Sequence, residues 1–137
     1  MTNTPRSIVG TWNLVDSSAR DEHGNPVPRP YGPLGMGMVT FSANGRMMAV
    51  LCDGRASLDE GTTREYASYC GNYTFDGQTL TTHVDASGLV RIAVGRDQVR
   101  GVRFEGERMI LTPPPLPVKD KQVYRELHWE RISLTTA

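Results

Sequence analysis

Turn-forming residues constrain this chain more than any other feature. It carries 14 glycines and nine prolines in 137 residues, many of them between stretches where apolar and polar side chains alternate. A helix interior suits neither type. Proline removes a ladder donor and clashes with the preceding turn, and glycine must give up the most backbone freedom. Short strands joined by tight turns use both residues well. The chain therefore reads as all-β, and its length suits one domain over residues 1–137 with a core of its own.

The alternation places the strands. Ile8 to Ser17 is the first, with Ile8, Gly10, Trp12 and Leu14 on one face, and Ser18 to Pro33 reads as a proline-rich loop. Gly35 to Ser42 and Arg46 to Cys52 flank Ala43-Asn44-Gly45, a hairpin signal. Thr62-Thr63-Arg64-Glu65 matches a capping box, and Tyr66, Tyr69 and Cys70 follow at helical spacing before Gly71, which predicts one short helix. Asn72 to Phe75 pairs with Thr79 to Ser87 through Asp76-Gly77, and Gln98 to Glu105 pairs with Arg108 to Thr112 through Gly106. Pro113 to Pro117 is an extended connector, and Gln122 to Ile132 is the last, long strand. About eight to ten antiparallel strands with one short helix can close into an up-and-down barrel, with a sandwich as the competing architecture.

Lysine plus arginine equal aspartate plus glutamate at 15 each. Zero net charge removes the electrostatic basis for general nucleic-acid or anionic-membrane binding, which calls for a basic excess. No apolar run reaches the roughly 18 residues of a membrane span. The start, Met1 to Arg6, lacks the apolar stretch of a signal peptide, so a cytoplasmic location is expected, with Cys52 and Cys70 as free thiols. Neither cysteines nor histidines cluster as zinc ligands do, so no metal and no cofactor are expected.

Gly10-Thr11-Trp12 looks like the Gly-x-Trp signature of lipocalin and calycin barrels. Together with Pro30-Tyr31-Gly32-Pro33, Gly45-Arg46-Met47, Tyr69 to Tyr73, His83-Val84-Asp85, Gln98-Val99-Arg100 and Leu127 to Arg131, it resembles the bacterial and fungal lipocalin-like domain family. The resemblance covers nearly the whole chain. It implies a barrel with an internal cavity, and by similarity an Arg131 guanidinium stacked across Trp12 at the closed end. Barrels of this kind carry small hydrophobic ligands, and a few relatives isomerise, cyclise, hydrate or cleave organic molecules without a cofactor. The fold does not choose between these.

Several residues are candidates for a site. His83 titrates near neutrality and suits proton transfer, ligand contact or a plain surface role, since Leu80, Thr82, Val84 and Ala86 make the apolar face of its strand. Arg100 runs in phase with Val102 and Phe104. If drawn inward, it can hold a carboxylate, phenolate or enolate oxygen; if outward, it pairs with Asp85, Glu105 or Glu107. Tyr31, Tyr69, Tyr73 and Tyr124 offer hydroxyls to a pocket or to the core. Met36, Met38, Met47 and Met48 supply adaptable apolar surface for a cavity wall or an ordinary core.

Three functions fit. The first is binding of a small, largely apolar organic molecule in the cavity, with Tyr31, Met38, Met48, Tyr69, Tyr73, His83, Arg100 and Tyr124 as contacts. The alternative is a cofactor-independent isomerase, cyclase or lyase in which His83 moves a proton and Arg100 or a tyrosine stabilises an oxyanion. The third is a filled barrel acting as an interaction module. The expected partner is a small molecule rather than nucleic acid or membrane, and a homodimer through a sheet face is possible.

Overall fold

The computed structural model describes residues 6–89 and 92–132. Within them lie nine strands: β1 (Gly10–Asp21), β2 (Gly35–Phe41), β3 (Arg46–Asp53), β4 (Tyr66–Phe75), β5 (Thr79–Ser87), β6 (Asp97–Glu105), β7 (Arg108–Thr112), β8 (Leu116–Val118) and β9 (Lys121–Arg131). Every pairing is antiparallel. β1 to β7 follow in chain order, β9 joins β7 and returns to β1, and β8 sits beside the start of β9. The result is a closed eight-stranded barrel with one extra strand. Closure pairs the edges that a sandwich would leave open.

Period two decides what faces the core. Val39 and Phe41 of β2, Met47, Ala49 and Leu51 of β3, Leu80 and Val84 of β5, and Trp129 of β9 all point inward and are buried. Two bulges reset the phase. Leu14 pairs with Trp129 and Asp16 with His128, so Val15 is the extra residue in β1. Before it Trp12 and Leu14 point inward; after it Ser17, Ala19 and Asp21 do. The second bulge leaves Asp85 unpaired, between Gly71 opposite Val84 and Cys70 opposite Ala86.

Trp12 shuts one end. Its ring is buried, its Nε1–H donates to the Ile8 carbonyl at 2.9 Å, and the Arg131 guanidinium lies 4.4 Å over the ring centroid. Arg131 also donates to the carbonyls of Ser7 (2.8 Å) and Val9. Gly10 adopts φ +133° there, and a Cβ on it would come 3.0 Å from Arg131 Nη1. The stack expected from Gly-x-Trp is thus present.

The structure corrects three local expectations. There is no helix after Thr62 among the described residues; β4 occupies that stretch. Tyr66 and Cys70 are four apart, a spacing that fits a helix face and a strand face alike, whereas Tyr69 falls on the other side of the strand. Ala67, Tyr69, Gly71, Tyr73 and Phe75 all share the inward side. Pairing with β3 and β5 gives every turn of that segment ladder partners, which an isolated two-turn helix lacks. β1 runs on to Asp21 instead of ending near Ser17, because β9 pairs with it along its whole second half. The proline connector contains β8, a strand that tolerates Pro117 because it is paired on one side only.

Candidate functional site

The open end is built from the loops after β1, β3, β5 and β7. β1 parts from β2 beyond Asn13, since their pairing ends at Asn13 opposite Met38. The segment 26–34 crosses that gap and is tied to β1 by the Val27 N–H on the Ala19 carbonyl. Tyr31 sits there in the left-handed region (φ 62°), and its N–H donates to Glu65 Oε2 at 2.5 Å.

Asp53 pins this rim. It is the inward residue at the end of β3, and its buried carboxylate accepts from Arg55 Nη2 at 2.6 Å and Arg55 Nε at 3.1 Å. Arg64 donates to the Asp53 carbonyl at 2.6 Å and to the Arg55 carbonyl at 2.7 Å. Gly32 packs so closely that a Cβ there would lie 2.5 Å from Asp53 Oδ2, at φ +74°. The Arg55 hydrogen bonds lower the Asp53 pKa from 3.8 to about 2, against the opposing effect of burial. A carboxylate with a depressed folded pKa contributes stability that is full above its ordinary value and is lost as the pH falls through the folded one. Limited proteolysis should therefore find the loops 26–34 and 54–65 increasingly cleavable between about pH 4 and pH 2. Asp53→Asn should show the same exposure at pH 7, and unchanged cleavage in that variant would contradict the role.

Inside the barrel, below the rim, a narrow cavity leaves about 50 Å³ open to the centre of a water molecule. Its wall is mostly apolar: Val39, Phe41, Met47, Ala49, Leu51, Leu80, Ile92, Leu111 and Leu127, with Pro30 and Pro113 above. The polar side chains on it are Tyr31, Tyr69, Arg100, Arg125 and Trp129. At the mouth a wider space of about 650 Å³ on the same measure is lined by Ala19, Val27, Pro28, Leu116, Val118 and Val123 and by the charged Arg29, Glu65, Lys119, Asp120 and Lys121. Pro30, Tyr31 and Arg125 belong to both walls. The inner space suits a small group, and the outer one is of a size that holds a ligand body.

The inward phase carries Arg100 on β6 to the cavity. Its Nη2 donates to Gln98 Oε1 at 2.5 Å and its Nη1 to the Val99 carbonyl at 2.9 Å. The surface ion pairs with Asp85, Glu105 or Glu107 do not form. Asp85 holds Arg46 instead, and Glu105 holds Arg103. Burial pushes the Tyr69 phenol up, with the Arg100 charge pulling the other way, so Tyr69 stays a neutral O–H donor.

The other candidates lie elsewhere. Tyr73 points inward near the shut end, packs edge-on against Phe41 at 5.1 Å and donates its hydroxyl to the Ser42 carbonyl at 2.9 Å. It is a core residue there. His83 stands on the outer face with its side chain 60% exposed and its Nδ1 2.9 Å from Asp97. Met38 and Met48 are also outward, as is Met36, because β2 and β3 turn Val39 and Ala49 into the barrel. Tyr124 is outward because β9 sends Val123 and Arg125 inward. The expectation of a cavity contact fails for His83, Met38, Met48 and Tyr124 by strand phase alone.

Arg125, Trp129 and Asp53 are the residues that sequence reasoning missed. The phase argument made for Arg100 applies equally to Arg125, which alternates with Val123, Leu127 and Trp129. Asp53 follows Met47, Ala49 and Leu51 in the same way.

No curated protein matches this chain. A family model described as the lipocalin-like domain does, over residues 9–132. That span runs from the residue before β1 to the residue after β9 and so contains the whole closed barrel: the chain belongs to the lipocalin-like domain family.

Proposed function

We propose that this protein binds a small, largely apolar organic molecule at the open end of its barrel. The observation that carries the reading is a mouth of about 650 Å³ set against an inner cavity with a mostly apolar wall, the two sharing Pro30, Tyr31 and Arg125. Membership of the lipocalin-like family supports it, since such a barrel encloses its ligand between strands. The body of the molecule lies between segment 26–31 and the β8–β9 hairpin, and its leading end enters past Tyr31 and Ile92. A proton-transfer enzyme built on His83 has no comparable support, because that imidazole is on the other side of the barrel wall.

N-phenyl-1-naphthylamine, an uncharged fluorescent probe, tests the proposal. It should bind saturably at one site with a blue-shifted emission. Val27→Trp, which places a ring in the mouth that Val27 lines, should weaken that binding about tenfold, with circular dichroism checking that the barrel remains folded. Absence of saturable binding to the native protein would sink the idea.

A further inference from the structure

We infer that the ligand is an organic acid, whose carboxylate enters the inner cavity and is held by Arg100 while its apolar body fills the mouth. This rests on the binding reading above and goes beyond it by fixing the ligand's polarity. The polar side chains of the inner wall are tyrosine hydroxyls, two guanidinium groups and one indole. Among the described residues none is an aspartate, glutamate, asparagine, glutamine or histidine, so no side-chain carboxylate, amide oxygen or imidazole nitrogen of theirs waits there for a donor. A ligand that brings a positive charge meets two guanidinium groups and no carboxylate among the described residues, and only hydroxyl oxygens to accept its N–H groups. One that brings acceptor oxygens finds several donors.

Two of those donors are already poised. Among the described residues Arg100 makes no ion pair; its hydrogen bonds run to a neutral amide oxygen and a neutral carbonyl. A guanidinium has five N–H donors in a forked plane that matches a carboxylate, and a half-buried one gains most from a partner of opposite charge. No hydrogen bond among the described residues engages the Tyr69 hydroxyl. An oxygen-rich head group satisfies this donor set. The inner cavity, at about 50 Å³ by the measure used above, admits a head group of that size but no ring system.

Calorimetric titration with three probes of one shape provides the test: naphthalene-2-carboxylate, 2-naphthalenemethanol and 2-naphthylmethylammonium. The carboxylate should bind about tenfold or more tightly than the alcohol, and the ammonium weakest. In Arg100→Met the ratio of carboxylate to alcohol affinity should fall to about one, and Arg100→Lys should restore part of it. Equal affinities for all three probes would overturn the inference while leaving apolar binding intact. A preference that survives Arg100→Met would also overturn it, by moving the acid to Lys119 and Lys121 in the mouth. If no probe bound at all, the binding proposal itself would fall with it.

Discussion

Replacing Trp12 by alanine is expected to cost about 3–5 kcal/mol, the range for deleting a large aromatic ring from a packed core. Set against a domain stability of about 5–15 kcal/mol, that is enough to leave the variant barely folded or unfolded at 25 °C. Three interactions go together. The ring is 1% exposed, so the full apolar burial is lost. Its N–H no longer satisfies the Ile8 carbonyl. Arg131 loses the indole face it covers, a cation–π contact worth about 0.5–1 kcal/mol at an exposed site. Arg131→Met removes the last of these together with the hydrogen bonds to the exposed Ser7 and Val9 carbonyls, and should cost less, about 1–2 kcal/mol. Urea unfolding followed by circular dichroism separates the two variants. A Trp12→Ala protein as stable as Arg131→Met would show that the indole is not the plug of the shut end.

Gly71→Ala is the second large effect, and it adds only one carbon. A Cβ at Gly71 would lie 1.9 Å from the His83 carbonyl oxygen, 2.7 Å from its carbon and 3.1 Å from Val84 Cα. These are backbone atoms on the neighbouring strand, so no rotamer change relieves the clash. They crowd Gly71 because the bulge at Asp85 bends β5 against β4. The strands must part or the bulge must straighten, and straightening would shift the register of Ala86 and Ser87 beyond it and turn them to the opposite face. A loss of about 3 kcal/mol or more is expected, at the upper end of overpacking costs. Gly61→Ala supplies the comparison: its Cβ would meet nothing within 4 Å, and only φ +81° opposes it. That cost should stay near 1 kcal/mol. Equal destabilisation by the two substitutions would remove the argument from close approach.

Much of the barrel was legible because period two is a local property. β5 falls on Thr79–Ser87 and β7 on Arg108–Thr112, as alternation and the turns Asp76-Gly77 and Gly106 predict. The helix at Thr62 was misread for an equally local reason. A spacing of four residues satisfies both periods, and only the pairing of β4 with strands on either side selects between them. Glu65, taken as a helix cap, uses its carboxylate to hold the Tyr31 N–H across the mouth.

The site was harder to read than the fold. Alternation says which residues share a face without saying which face is inside. For β5 the apolar series Leu80, Thr82, Val84 and Ala86 favoured an outward His83 without excluding a cavity contact, and the structure settles it outward, with Ala86 turned out as well beyond the bulge. For β2 and β3 both faces are apolar, so Met38 and Met48 competed with Val39 and Ala49 on equal terms until the barrel closed.

The Gly10-Thr11-Trp12 plug and the arginine that covers it were implied by the family resemblance; by itself, the sequence determined an all-β chain and the places of its turns. These depend on backbone freedom and side-chain periodicity within a few residues. The tertiary structure decided the phase of each strand after its bulge, the gap between β1 and β2 that admits Tyr31, and the meeting of Tyr69, Arg100, Arg125 and Trp129 around one cavity. Those four come from three strands, and no local rule connects them. Closure does, because in a barrel every inward residue faces every other across the same small space.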